Sequence, residues 1–187
     1  MKNRSFNKIQ ETRGQALVEL AIILPILTLL FLGVFDFSRA IYTKNMITNV
    51  SREGANLASR DSQLMQQDPQ TVMNTLAETA QPLDMQNNGM IYITVVQGAS
   101  SGNPTIQTQY PWANTNLKTT TQNGTVYNIQ SRFGTQVSPN TSSLATLGLR
   151  VGQTASIVEV FYNYQSLFSV GKQFLHTPAT LYSMAIF

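Results

Sequence analysis

From Gln15 to Phe35 the chain reads QALVELAIILPILTLLFLGVF, in which Glu19 is the only charged residue. The run is apolar all round rather than striped, which is the pattern of a helix with no polar face to turn to water. A helix of about 20 residues rises roughly 30 Å, the thickness of a bilayer core. The pattern therefore predicts one membrane-spanning helix. The alternatives are a buried core helix and a cleavable secretory signal cut after Ala40, where Ser38-Arg39-Ala40 offers small residues. Signal peptides carry an apolar core of about 7–15 residues. This run is longer, and Asp36 and Arg39 crowd the site. Pro25 and Gly33 fall inside the span, where neighbouring helices can satisfy freed backbone groups.

Past Phe35 the period stays helical. Ala40, Thr43, Ile47, Val50, Gly54 and Leu57 form a narrow stripe, with Arg39, Lys44, Asn45, Arg52 and Glu53 largely off it. The spacing predicts one helix from about Gln15 to Arg60, with a break near Asp36 as the alternative. Asp68-Pro69 suits a second helix start, and Gln70 to Ala80 reads as a short helix stopped before Pro82. After Asn88-Gly89, read as a turn, the period becomes two. Ile91, Ile93 and Val95 alternate with Tyr92, Thr94 and Val96. Thr105 to Tyr110 is a short strand, and Lys118–Thr121 with Thr125–Ile129 is a hairpin across Asn123-Gly124. Much of the polar stretch 97–150, including Ser138 to Ser143, reads as surface loop. Ile157 to Tyr164 puts Val158, Val160, Tyr162 and Tyr164 on one face, and Ile157, Glu159, Phe161 and Asn163 on the other. Thr180 to Phe187 suits antiparallel pairing with it. The fold class is α+β: a long N-terminal transmembrane and stalk helix, then a small, mainly antiparallel sheet domain.

Charge and composition narrow the function. The chain has 187 residues and a formal charge of +3. Lys2, Arg4, Lys8 and Arg13 against Glu11 supply that excess within the first 14 residues, and the remainder is neutral. A basic leader before an apolar span sets the N-terminus in the cytoplasm and the rest outside. Nucleic-acid binding needs basic residues spread over a face, which this distribution argues against. With no cysteine and His176 as the only histidine, thiolate chemistry and a multi-histidine metal site within one chain are excluded. His176 has no acid or nucleophile close in sequence and reads as a loop residue; no catalytic or phosphate-binding motif is present. Tyr110 and Trp112 read as core or strand residues rather than a sugar platform. No cofactor and no enzymatic activity are expected.

Glu19 needs its own explanation, because a carboxylate in a membrane helix is costly. It lies about one turn into the span, where the interface and the positive end of the helix dipole could serve it. The surrounding run Arg13-Gly14-Gln15-Ala16-Leu17-Val18-Glu19-Leu20 ends a basic leader in glycine, with glutamate five residues on. This resembles the site at which an aspartyl prepilin peptidase cuts after glycine. The whole run RGQALVELAIILPILTLLFLGVFDFSR closely resembles the N-terminal signature of TadE-like proteins, pseudopilins or minor pilins of the tight-adherence (Tad, or Flp) branch of type IV pili. Val50-Ser51-Arg52-Glu53-Gly54-Ala55-Asn56 continues the resemblance, with Ser51 and Asn56 departing from an Ala-Arg-Glu-Gly-Ala-Arg-like pattern. Leu20 departs too, since Phe or Tyr is common there. The resemblance implies processing at Arg13, Gly14 and Gln15, and subunit assembly and register at Glu19, Leu20 and Pro25. It implies that Glu19 pairs with the new α-amino group of Gln15 on a neighbouring subunit. The partners implied are the prepilin peptidase, the major Flp-type pilin, a sibling pseudopilin and the assembly platform in the cytoplasmic membrane. The organisation expected is a cleaved leader at 1–14, a transmembrane helix at 15–35, a stalk at 36–60 and an exported domain at 61–187. The rival readings are a membrane-anchored envelope binding or adhesion module with no role in fibre assembly, and a secreted enzyme.

Overall fold

The computed structural model describes residues 3–60, 68–100, 102–121, 124–167 and 179–187. Helix α1 runs from Asn3 to Arg60 with Pro25 inside it and no break at Asp36. It starts a dozen residues before the expected Gln15. Residues 1–40 with 166–177 form one compact unit, and residues 41–165 with 178–187 form a second.

In the first unit the side chains of the apolar run lie exposed, Leu17 to Phe37 among them. The hydroxyls in the run and just after it are satisfied locally. The Thr28 hydroxyl donates to the Leu24 carbonyl and the Ser38 hydroxyl to the Val34 carbonyl, both at 2.8 Å. Back-bonding of this kind leaves no hydroxyl seeking water.

The second unit is built on one antiparallel sheet. Helix α2, Pro69–Thr79, starts on the Asp68 side chain, which accepts from the Thr71 N–H with Pro69 in the first turn. The Thr71 hydroxyl, which also donates to this carboxylate, and the Thr71 N–H hold the Asp68 carboxyl below its ordinary pKa. A one-turn helix α3, Met85–Asn88, leads directly into strand β1, Gly89–Gln97. Asn88-Gly89 is therefore a helix-to-strand junction and not the expected turn, because the Asp84 side chain caps α3 by accepting from the Asn87 N–H. Strand β2 is Thr105–Pro111, and β3, Lys118–Thr121, pairs with β4, Gly124–Tyr127, as a separate hairpin. The expected hairpin turn at Asn123 lies outside the described residues. Asn140 caps a short helix α4, Thr141–Ala145, where loop was expected. Strands β5, Thr154–Tyr164, and β6, Ala179–Ile186, complete the sheet. The Gly171 and Pro178 loop between them, with His176, lies outside the described residues.

The strand order is β2-β1-β5-β6, all pairs antiparallel. Direct cross-strand partners share a face. Ile91, Ile93, Val158, Val160 and Ser183 therefore face one way, while Tyr92, Glu159, Phe161 and Tyr182 face the other. Both faces are covered, so β1 is buried along nearly its whole length despite its alternating sequence. Residues 41–58 of α1 with α2 cover the first face. The second carries Tyr92, Phe161 and Tyr127, and further along Val96, Ile157, Phe133 and Leu144. Tyr92 meets Tyr127 and Phe161 edge-on at about 6 Å, a favoured aromatic geometry.

Candidate functional site

Arg13, Gly14 and Gln15 are all helical residues of α1. A Cβ added at Gly14 would meet nothing within 4 Å, and its φ is not positive. Neither packing nor backbone conformation therefore requires glycine there. One turn on, the Gln15 side-chain amide donates to Glu19 Oε1 at 3.1 Å. Sequence spacing of four puts both on one helix face. Leu20 is exposed, and Pro25 sits further along the same exposed run. The structure thus brings Gln15 and Glu19 together.

The second conspicuous stretch of α1 has the opposite character. Thr43, Ile47, Val50, Ser51, Gly54, Ala55 and Ala58 are buried, whereas Lys44, Asn45, Arg52 and Glu53 are exposed. The expected stripe holds from Thr43 to Gly54. It then continues through Ala58, while Leu57 faces out. Small residues win because the helix lies close against the sheet. A Cβ at Gly54 would come within 2.8 Å of Leu76 Cδ1 and 3.0 Å of Val158 Cγ1. The Ser51 hydroxyl hydrogen-bonds that of Ser183 on β6 at 3.0 Å, both residues buried, and Ser183 also reaches the Thr48 hydroxyl at 3.3 Å. The Lys44 ammonium donates to the Tyr182 carbonyl on the same strand.

A family model of TadE-like proteins matches residues 14–56. That segment is TadE-like. It runs from Gly14 through the exposed apolar helix to the residues that dock on the sheet, and it covers under a quarter of the chain. No curated protein and no solved structure matches the chain. The TadE-like segment lies within the single helix of the described residues that is long and apolar enough to cross a membrane, and none of that helix's most apolar window is buried. A core helix of a soluble domain would be covered. The helix has the form of a single-pass anchor, and beyond the TadE-like segment the chain continues into an α+β sheet domain.

One cluster escaped the sequence reading. Glu159, on the second face of β5, is fully buried. Its carboxylate accepts from the Ser131 hydroxyl, the Arg132 N–H at 3.0 Å and the Tyr182 hydroxyl at 3.2 Å. The Arg132 guanidinium lies 3.7 Å from the centre of the Tyr182 ring. Burial pushes the Glu159 pKa up, against the three hydrogen bonds and the nearby guanidinium, and burial beside Glu159 raises that of Tyr182. The signal in the sequence was a lone charge within an alternating apolar strand. No group of three or more potential metal ligands occurs among the described residues. Trp112 is buried, its indole N–H donating to Asn74 on α2 at 2.8 Å.

Proposed function

We propose that this chain is a structural pseudopilin or minor pilin of a Tad-type pilus. Its single helix anchors it in the cytoplasmic membrane, N-terminus inward, with the sheet domain outside. A prepilin peptidase removes the leader after Gly14. The new α-amino group of Gln15 pairs with Glu19 of a neighbouring subunit, since two charges stranded in a low-dielectric bundle gain by meeting. The partners on this reading are that peptidase, the major Flp-type pilin, a sibling pseudopilin and the membrane assembly platform. The chain itself performs no covalent chemistry.

The observation that carries the reading is Gly14. Glycine costs about 1 kcal/mol relative to alanine inside a helix. At Gly54 tight packing repays that cost; at Gly14 nothing among the described residues does. A protease cleft that accepts an unwound, side-chain-free backbone does. Glycine falls at the end of a basic leader, five residues before Glu19, and at the first residue of the TadE-like match.

The test is the N-terminus of the membrane-extracted protein, by intact mass, with and without the cognate peptidase. A peptidase-dependent start at Gln15 supports the proposal. An intact Met1 in both backgrounds turns it into a simple anchor carrying an envelope-binding domain. Glu19→Ala and Glu19→Gln are expected to lower piliation at least about tenfold with normal membrane levels of the protein, the loss of a buried charge pair. Wild-type piliation in both variants would end the pairing mechanism.

A further inference from the structure

The charge-free run of α1 ends at Phe35, so Asp36 marks the level at which an anchored helix leaves the hydrocarbon. Asp36 Oδ1 accepts the backbone N–H of Leu167 at 3.2 Å. Leu167 follows β5, and with Ser166 it belongs to the same compact unit as residues 1–40 of α1. A backbone hydrogen bond fixes height closely: if Asp36 is at the bilayer surface, Leu167 is there too. Its side chain is 59% exposed, and Phe37 on the helix is 67% exposed.

We infer that Leu167, held in place by Asp36, rests in the headgroup boundary of the membrane and gives the protein a second lipid contact. The inference rests on the reading of α1 as a membrane anchor. Two points favour lipid as the occupant. The exposed side chains of Leu167 and Phe37 sit at the one level where water gives way to acyl chain, and Arg39, two residues after Phe37, gives them the basic neighbour typical of interfacial segments. A loop backbone at that depth also needs its N–H groups satisfied, and Asp36 does this for Leu167.

The chain has no cysteine, so single cysteines report cleanly. The full-length protein, reconstituted in phosphatidylcholine vesicles with an environment-sensitive fluorophore at Leu167→Cys, is titrated with lipid bearing a shallow nitroxide, and the mid-span control with lipid bearing a deep one. Controls carry the label at Leu27→Cys, inside the apolar run, and at Val137→Cys, a loop position 96% exposed. At position 167 quenching is expected to exceed that at 137 by about threefold or more, the difference between a boundary and an aqueous site. Asp36→Ala should bring 167 down to the level of 137, and Asp36→Asn, which keeps an acceptor, should not. A 167 signal equal to 137 with strong lipid quenching at 27 overturns the inference alone. No lipid quenching at 27 overturns the anchor reading and the inference with it. Protection from iodide at 167 that rises with protein density, without nitroxide quenching, assigns the surface to a second copy and overturns the lipid contact.

Discussion

Glu159 shows how one buried side chain can tie three segments together. Its carboxylate sits on the central strand β5 and collects donors from Ser131 and Arg132 in the chain before α4, and from Tyr182 on β6. Replacing it with alanine leaves the Ser131 and Tyr182 hydroxyls without that acceptor. Glu159→Ala is expected to cost about 3 kcal/mol in urea unfolding. Because burial raises its pKa above the ordinary 4.5, the folded protein binds this proton more readily than the unfolded chain. The sign follows: this group's contribution to stability improves as pH falls through the raised value and levels off below about 4.5. Glu159→Gln keeps the acceptors for Arg132 and Tyr182 and can donate to Ser131. It is expected to abolish that slope, with stability at neutral pH equal to or above wild type, as read by paired unfolding curves across pH. The groups facing Glu159 are Arg132 and the phenols of Tyr92 and Tyr182, and the phenols stay protonated throughout, their pKa values raised by burial. A lone acid in a β pattern is visible in the sequence. Its partners, 28 residues upstream and 23 downstream, are not.

At the scale of elements, the dock of α1 on the sheet rests on residues chosen for smallness. Gly54→Ala gains helix propensity of about 1 kcal/mol. The added methyl meets the flexible end of Leu76, which can move, and Val158, which is branched at Cβ and fully buried. The clash is expected to win by about 1 kcal/mol, and Gly54→Leu to cost more than about 3 kcal/mol, both measured by urea unfolding. Much of the element pattern was legible. The Asp68-Pro69 helix start, the hairpin strands and both faces of β5 follow from caps and period alone. Three readings failed for physical reasons. Leu57 fits the apolar period, yet close approach of helix and sheet favours Ala58. Asn88-Gly89 has turn chemistry, yet Asp84 caps a helical turn before it. Asn140 reads as loop but caps α4 by accepting from the Ser143 N–H. The pairing of β1 with β5 joins residues 89–97 to 154–164, a register set by tertiary packing that no local pattern encodes.

At the scale of the molecule, the TadE-like helix and the sheet domain differ in what their sequences disclose. The helix declares its solvent, since residues 20–35 carry no charge and are apolar except for Thr28, whose hydroxyl is satisfied within the helix. Leu27→Arg with Leu30→Arg would place two charges mid-span, at about 3 kcal/mol each on insertion scales. Most of the double variant is expected in the carbonate-extractable fraction, with wild type in the pellet. The sheet domain shows its architecture but carries no motif naming what it touches. One contact, though, bears on how copies of it can gather. Reciprocal bonds between Ser156 and Phe187 set the alternation of β6, so the Tyr182 carbonyl points away from β5, along the free edge of the sheet. The Lys44 ammonium occupies that carbonyl. An edge strand with a cation fixed across its middle is a poor template for another strand. On the proposed function, copies gathered at high local concentration in a membrane would crowd through their helices without their sheets knitting into one.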